Sequence, residues 1–189
     1  GSGNVVTIRP LPTGEAIVSW WPGGQSLMQK YDASGNAVWG STQAIVSGGS
    51  DTTPGNLFEM SDGGFVMVFH VLLGGINSFL YAQRYNSDGV AQWTNPTQLA
   101  NSATTFISSY SGTQDGDVVY MGYKASPGSR FDSYLQRVNP DGSLPWGVNG
   151  MDFDTNQTDY EMDTRIAFNP SSQYIWSICT YTNTSQGEK

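Results

Sequence analysis

Apolar residues along the chain gather into short runs broken by turn residues. Residues 65–71 are apolar at nearly every position, which predicts a strand covered on both faces rather than one. Residues 79–85 are softer: Phe79, Tyr81, Gln83 and Tyr85 share one face, while Leu80, Ala82 and Arg84 share the other. Upstream, 57–60 and the turn Ser61-Asp62-Gly63-Gly64 make a hairpin with 65–71. The same hairpin pattern pairs 5–9 with 16–21, 104–110 with 118–123, and 165–168 with 174–181. Each pair is separated by a turn containing Gly, Pro, Asp or Asn.

A longer pattern is laid over these runs. Gln-[Lys/Arg]-x-[Asp/Asn]-x-x-Gly-x-x-x-Trp begins at Gln29, Gln83 and Gln136, a recurrence of about 53 residues that marks a propeller, solenoid or array. Each copy reads as strand, Asx-type turn, strand, with glycine supplying a positive φ and Trp39, Trp93 or Trp146 anchoring the next strand. Equivalent, buried positions on matching strands are expected for the three tryptophans. With the upstream hairpin, each repeat holds four short strands in meander order. Sheets covered on both faces and joined by short connections describe propeller blades stacked between neighbours. The expected fold class is therefore all-β: a β-propeller-type repeat of four-stranded antiparallel blades. It spans a single domain, 1–189, of repeats 4–46, 55–99, 103–150 and a partial 164–189, or about 3.5 repeats. The junctions 47–54, 100–102 and 151–163 read as loops. A two-stranded terminal sheet is marginal alone, and its open edge is a template for pairing. It is expected to be completed by a second copy in a homodimer, by the remainder of a larger chain, or by another partner.

Charge narrows the partners. Sixteen acids against eight bases give a net charge of −8, which argues against nucleic acid, since phosphate binding needs clustered Lys and Arg. Three of those bases, Lys30, Arg84 and Arg137, belong to the repeat motif. No run is long and apolar enough to predict membrane insertion as a helix. The single cysteine, Cys179, rules out an internal disulfide and sits in an apolar run where a buried, inert thiol is expected.

The stretch 61–93 joins the Asp62-Gly63-Gly64 hairpin to Tyr81-Ala82-Gln83-Arg84-Tyr85-Asn86, then Gly89 and Trp93. It resembles the propeller-like repeats of secreted bacterial surface proteins, and the resemblance extends over nearly the whole chain. That resemblance implies a propeller-type fold and an extracellular, periplasmic or cell-surface location. It carries no catalytic residue onto this chain.

Candidate chemistry is sparse. The one histidine, His70, ends a buried strand and has no sequence neighbours suited to a zinc site or a Ser–His–Asp triad, so a structural histidine is expected. Trp21 and Tyr123 are candidate sugar-stacking aromatics, with blade core as their alternative. The acidic segment 152–163 places Asp152, Asp154, Asn156, Thr158 and Asp163 at positions 1, 3, 5, 7 and 12 of a calcium-loop spacing. It departs from that pattern at Gln157, where the sharp turn needs glycine, and at Asp163, which is shorter than the usual Glu. A calcium site and a solvated acidic loop are the two readings, and no other cofactor is expected. The function expected is a non-catalytic extracellular module that binds or scaffolds, with a carbohydrate or protein ligand. One alternative is a glycan-active propeller enzyme with two carboxylates about 5–9.5 Å apart in one pocket at the central mouth. The other is a purely structural spacer, which would lack a pocket of converging polar groups.

Overall fold

In the computed structural model, residues 4–48, 50–73, 78–104, 110–126, 128 and 130–182 are described, with side chains from residue 7 onward. They contain strands, turns and no helix. Sheet one is a four-stranded meander, β1 (Asn4–Pro10), β2 (Ala16–Trp21), β3 (Ser26–Tyr31) and β4 (Gln43–Ile45). Sheet two follows with β5 (Asp51–Glu59), β6 (Phe65–Leu72), β7 (Ser78–Tyr85) and the short β8 (Thr97–Gln98). Sheet three holds β10 (Ser111–Asp115), β11 (Val118–Ser126), β12 (Asp132–Val138) and β13 (Met151–Asp152). Between them, β9 (Ala103–Thr104) pairs with both β7 and β11. The chain closes with the hairpin β14 (Tyr160–Asn169) and β15 (Tyr174–Thr182). Every pairing is antiparallel. The fold is all-β and of the propeller type, with repeated four-stranded sheets.

The motif residues explain how the sheets stack. Gln29, Gln83 and Gln136 stand opposite Val18, Met67 and Met121, so the three sheets share one register. Ile17, Met28, Trp39 and Ile45 of sheet one meet Leu57, Phe65, Met67 and Phe69 of sheet two. On the other face of sheet two, Phe58, Val66, Val68 and Leu80 meet Val119, Met121 and Tyr123 of sheet three. That is why 65–71 is apolar at every position but His70: alternate side chains serve different neighbours, each buried apolar one contributing about 1.5–3 kcal/mol.

Gln29 Oε1 accepts from the Lys30 and Trp39 amides at 2.8 and 3.2 Å, and its Nε2 donates to the Trp39 carbonyl at 3.3 Å. Gln83 makes the same clamp on Arg84 and Trp93. Trp39 and Trp93 lie in bends after isolated strand bridges and Trp146 in a turn, none of them on a strand; Trp39 is buried, while Trp93 and Trp146 are half-buried. The rings of the first two reach forward. Trp39 Nε1 donates to the Ser87 carbonyl and Trp93 Nε1 to that of Pro140, each in the next repeat's turn. The turn glycines Gly89 and Gly142 have φ of 77° and 84°, and a Cβ on either would come within 3.0 Å of that preceding tryptophan. Each glycine thus meets two demands, backbone conformation and clearance.

Several boundaries differ from the sequence expectation. Strand β5 starts at Asp51, inside the expected 47–54 loop, because Thr52 is buried and bonded to sheet one. The hairpin strand expected at 104–110 is found as β10 from Ser111, and 105–109 lie outside the described residues. The last hairpin begins at Tyr160, and the tail of the partial repeat, 183–189, also lies outside them.

Candidate functional site

The first strands β1, β5, β10 and β14 lie against one another in succession, as the inner strands of a propeller do. A cavity of about 430 Å³ opens among them, lined by Arg9, Thr53, Asn56, His70 and Tyr110 with neighbouring apolar groups. Thr53 and His70 stand directly opposite each other on β5 and β6. Both are buried, and neither Thr53 Oγ1 nor His70 Nε2 has a protein partner. Desolvation pushes the His70 pKa down to about 4, so the imidazole is neutral at pH 7. Its ring meets that of Tyr110 edge-on, with centroids 5.2 Å apart. Burial raises the Tyr110 phenol well above its ordinary range, so it stays a neutral hydroxyl. That hydroxyl fits because residue 55 is glycine: a Cβ there would lie 1.6 Å from it. Arg9 is ion-paired with Glu59 at 3.5 Å. A second cavity of about 250 Å³ continues past Arg9 and Asn56 to Thr113 and Gln114. Neither cavity has an Asp or Glu among its described lining residues. Two cavities do hold a pair of carboxylates: one of about 220 Å³ has Glu15, paired with Lys30 at 3.6 Å, and Glu59, paired with Arg9, and one of about 460 Å³ has Asp62, paired with Arg84 at 2.8 Å, and Asp141, which accepts from the Ser143 amide.

Residues of the acidic segment are placed as follows. Asp152 ends β13 and accepts from the Asp154 amide at 3.3 Å. Asp154 accepts from the Asn156 amide and from the Tyr181 hydroxyl. The Asn156 carbonyl oxygen of the side chain accepts from the amide and hydroxyl of Thr158, both at 2.9 Å. Asp163 sits in a bulge of β14 with φ of 52°, beyond the loop proper. Among the described residues, no group of three or more His, Cys, Asp or Glu side chains converges to hold a metal ion.

Beneath that loop lies a carboxyl the sequence did not single out. Ser26 N donates to Thr52 Oγ1 at 2.8 Å where sheets one and two meet, whereas Ser133 N donates to Glu161 Oε2 at 3.0 Å where sheet three meets the last hairpin. Each serine lies three residues before its motif glutamine, so Glu161 stands where Thr52 stands. It is fully buried, and Oε1 has no hydrogen-bond partner. Desolvation first, then the neighbouring Asp154 and Asp152, raise its pKa to about 7. Asp132, held by Arg130, is likewise raised, chiefly by desolvation. Asp154 is lowered by its Tyr181 and Asn156 hydrogen bonds. Nearby Cys179 is half-buried, and burial raises its thiol to about 11, in keeping with an inert role. Of the two candidate platforms, Tyr123 is core, its hydroxyl bonded to the Leu99 and Asn149 carbonyls. Trp21 is half-buried and donates to the Gly24 carbonyl.

Comparison with known proteins shows the fold and nothing finer. No family model and no curated protein sequence matches the chain. Among solved structures, a sialidase from Streptococcus pneumoniae superposes with a TM-score of 0.56 at 14% identity, over 91% of this chain and 26% of that one. An endo-arabinase from Bacteroides thetaiotaomicron gives 0.50 at 14% identity, over 96% of this chain and 75% of that one. An α-L-arabinofuranosidase from Lactobacillus brevis gives 0.49 at 10% identity, over 96% and 66%. The chain thus spans about two thirds of the arabinofuranosidase and about a quarter of the sialidase.

Proposed function

We propose that the chain is an extracellular carbohydrate-binding propeller module that holds a neutral sugar in the cavity between β1, β5 and β10. The observation that carries this reading is the pair Thr53 Oγ1 and His70 Nε2. Both are buried, opposite each other, on the cavity wall and without a protein partner. An unsatisfied buried polar group costs about 1–3 kcal/mol, and sugar hydroxyls can both donate and accept. Asn56, Arg9 and the Tyr110 edge add further donors and an aromatic surface. The absence of a carboxylate among the described lining residues favours binding over hydrolysis there. The sialidase and the arabinase that share the fold have glycan-directed names, which supports the ligand class. A glycan array, followed by calorimetry on the strongest hit, tests the reading. Thr53→Val should weaken binding by about tenfold, the worth of one hydrogen bond, while the melt of the sugar-free protein should not fall, since an unsatisfied buried hydroxyl is removed. Failure of the wild type to retain any glycan, or equal affinity in the variant, overturns it.

A second reading, glycan hydrolysis, is supported by the same two neighbours, which are named as a sialidase and an endo-arabinase, and by one feature of this chain. Asp154 and Glu161 are carboxyls whose surroundings push their pKa values apart, the arrangement of a base and an acid. Glu161 is fully buried, so a sugar reaches it only with the last hairpin displaced. Release of reducing sugar by the wild type but not by Glu161→Gln would promote this reading over the first.

A further inference from the structure

The last hairpin has one covered face and one bare face. Towards sheet three, Ile166 and Thr164 fill the space over Gly122, where a Cβ would meet them at 2.6 and 2.9 Å. Beside them Phe168 stacks on Tyr120, with centroids 6.2 Å apart. On the opposite face, alternate residues of β15 point away: Tyr174, Trp176 and Ile178 are 66%, 65% and 68% exposed. Asn169, Ala167 and Arg165 of β14 stand across from them. Three large apolar side chains in a row on one face are more than the scattered exposure an ordinary surface shows.

The fold itself shows how such a face is covered. In sheets one and two, the corresponding face carries Ile17 and Ser19, then Val66 and Val68, and all four are buried. They are covered by the second strand of the next sheet, through Phe65, Met67 and Phe69 in the first case and Val119, Met121 and Tyr123 in the second. The register through the motif glutamines makes Ala16, Val18 and Trp20 the matching set in sheet one. That set is only half-buried, and Ile8, opposite Val18, is 59% exposed. The chain therefore carries both halves of its own internal junction, one on the first sheet and one on the last, and neither is fully covered.

We infer that a second copy of this chain covers the Tyr174–Trp176–Ile178 face with the Ala16–Val18–Trp20 face of its first sheet. The contact is head-to-tail, repeating between molecules the junction that sheets one and two make within one. In a closed pair each copy contributes one head and one tail. Charge does not oppose it, since Arg165 is the charged side chain in the hairpin row facing outward.

Light scattering and sedimentation over a range of concentrations test this. The wild type should show twice the monomer mass and dissociate on dilution. Trp176→Asp and, separately, Val18→Asp should each be monomeric with an unchanged circular dichroism spectrum. Ile178→Lys and Ala16→Lys replace either variant that fails to fold. Mixing the tail variant with the head variant leaves one intact junction, so an equimolar mixture should regain the dimer mass. A monomeric wild type at the highest soluble concentration overturns the inference and leaves the face to another sheet or another protein. A dimer that survives Trp176→Asp, or variants that fail to complement when mixed, overturns the head-to-tail contact.

Discussion

Glu161 shows how one residue can alter a junction that the repeat otherwise builds from hydroxyls. At the junction of sheets one and two, Thr52 accepts from Ser26 N and its hydroxyl donates to the Ile45 carbonyl, so both needs are met. A carboxylate in the same place accepts but cannot donate, and only a protonated carboxyl mimics the threonine. The groups facing Glu161 are Asp154 and Asp152 from the β13 side, Ser133 from β12, and Cys179 and Tyr181 from β15. With its pKa raised from 4.5 to about 7, the native state holds a proton the unfolded chain has lost across that interval. Stability from this site is thus full below about pH 4.5 and falls as pH rises to about 7. Asp132 acts in the same direction. Asp154, lowered from 3.8, acts oppositely and only in acid, where its contribution is lost as pH falls. A melting temperature that declines between pH 5 and 7, with a shallower decline in Glu161→Gln, is the expected result. Equal slopes in the two proteins would show that Glu161 does not titrate there.

At the scale of the element, the repeat was legible because its motif is a set of local hydrogen bonds. The Asx turn at Asp32, the clamp of Gln29 and the positive φ of Gly35 all fall within one short span, so spacing alone reveals them. The spacing concealed the direction in which the tryptophans work. Their expected role is to anchor the following strand of their own repeat, yet Trp39 packs on Gly89 and bonds Ser87, a whole repeat away. The cavity was hidden for the same reason, since Arg9, Thr53, His70 and Tyr110 come from three repeats. The β5 start was missed because Thr52 and Thr53 look like loop residues until sheet one is set beside them. The forward reach of the tryptophans predicts a graded mutational series. Trp39→Ala removes a buried ring and should cost about 3–5 kcal/mol in urea unfolding. Trp146→Ala should cost clearly less, because Trp146 is half-buried and its ring rests on Tyr120 of its own sheet. Similar losses for the two would mean that burial between repeats is not the contribution of the motif tryptophan.

For the whole molecule, sheets stacked in sequence imply that stability is distributed by neighbours, as in other repeat proteins. Sheet two is covered on both faces, whereas the last hairpin is held by sheet three on one face alone. Local opening should therefore begin at β14–β15, with β6 among the last segments to exchange its amides. Gly122 offers a way to test this without touching the hairpin. A methyl group there would press on Ile166 and Thr164, so Gly122→Ala should lift the hairpin while leaving the Phe65–Phe69 side of sheet two intact. Hydrogen exchange on dilute protein should show faster exchange in β14–β15 of the variant, with β2 and β6 unchanged. If β6 exchanged faster as well, the sheets would form one cooperative unit rather than a chain of neighbours. Protection of β15 in the wild type should also grow with protein concentration, because the second copy covers the face that dilution leaves bare.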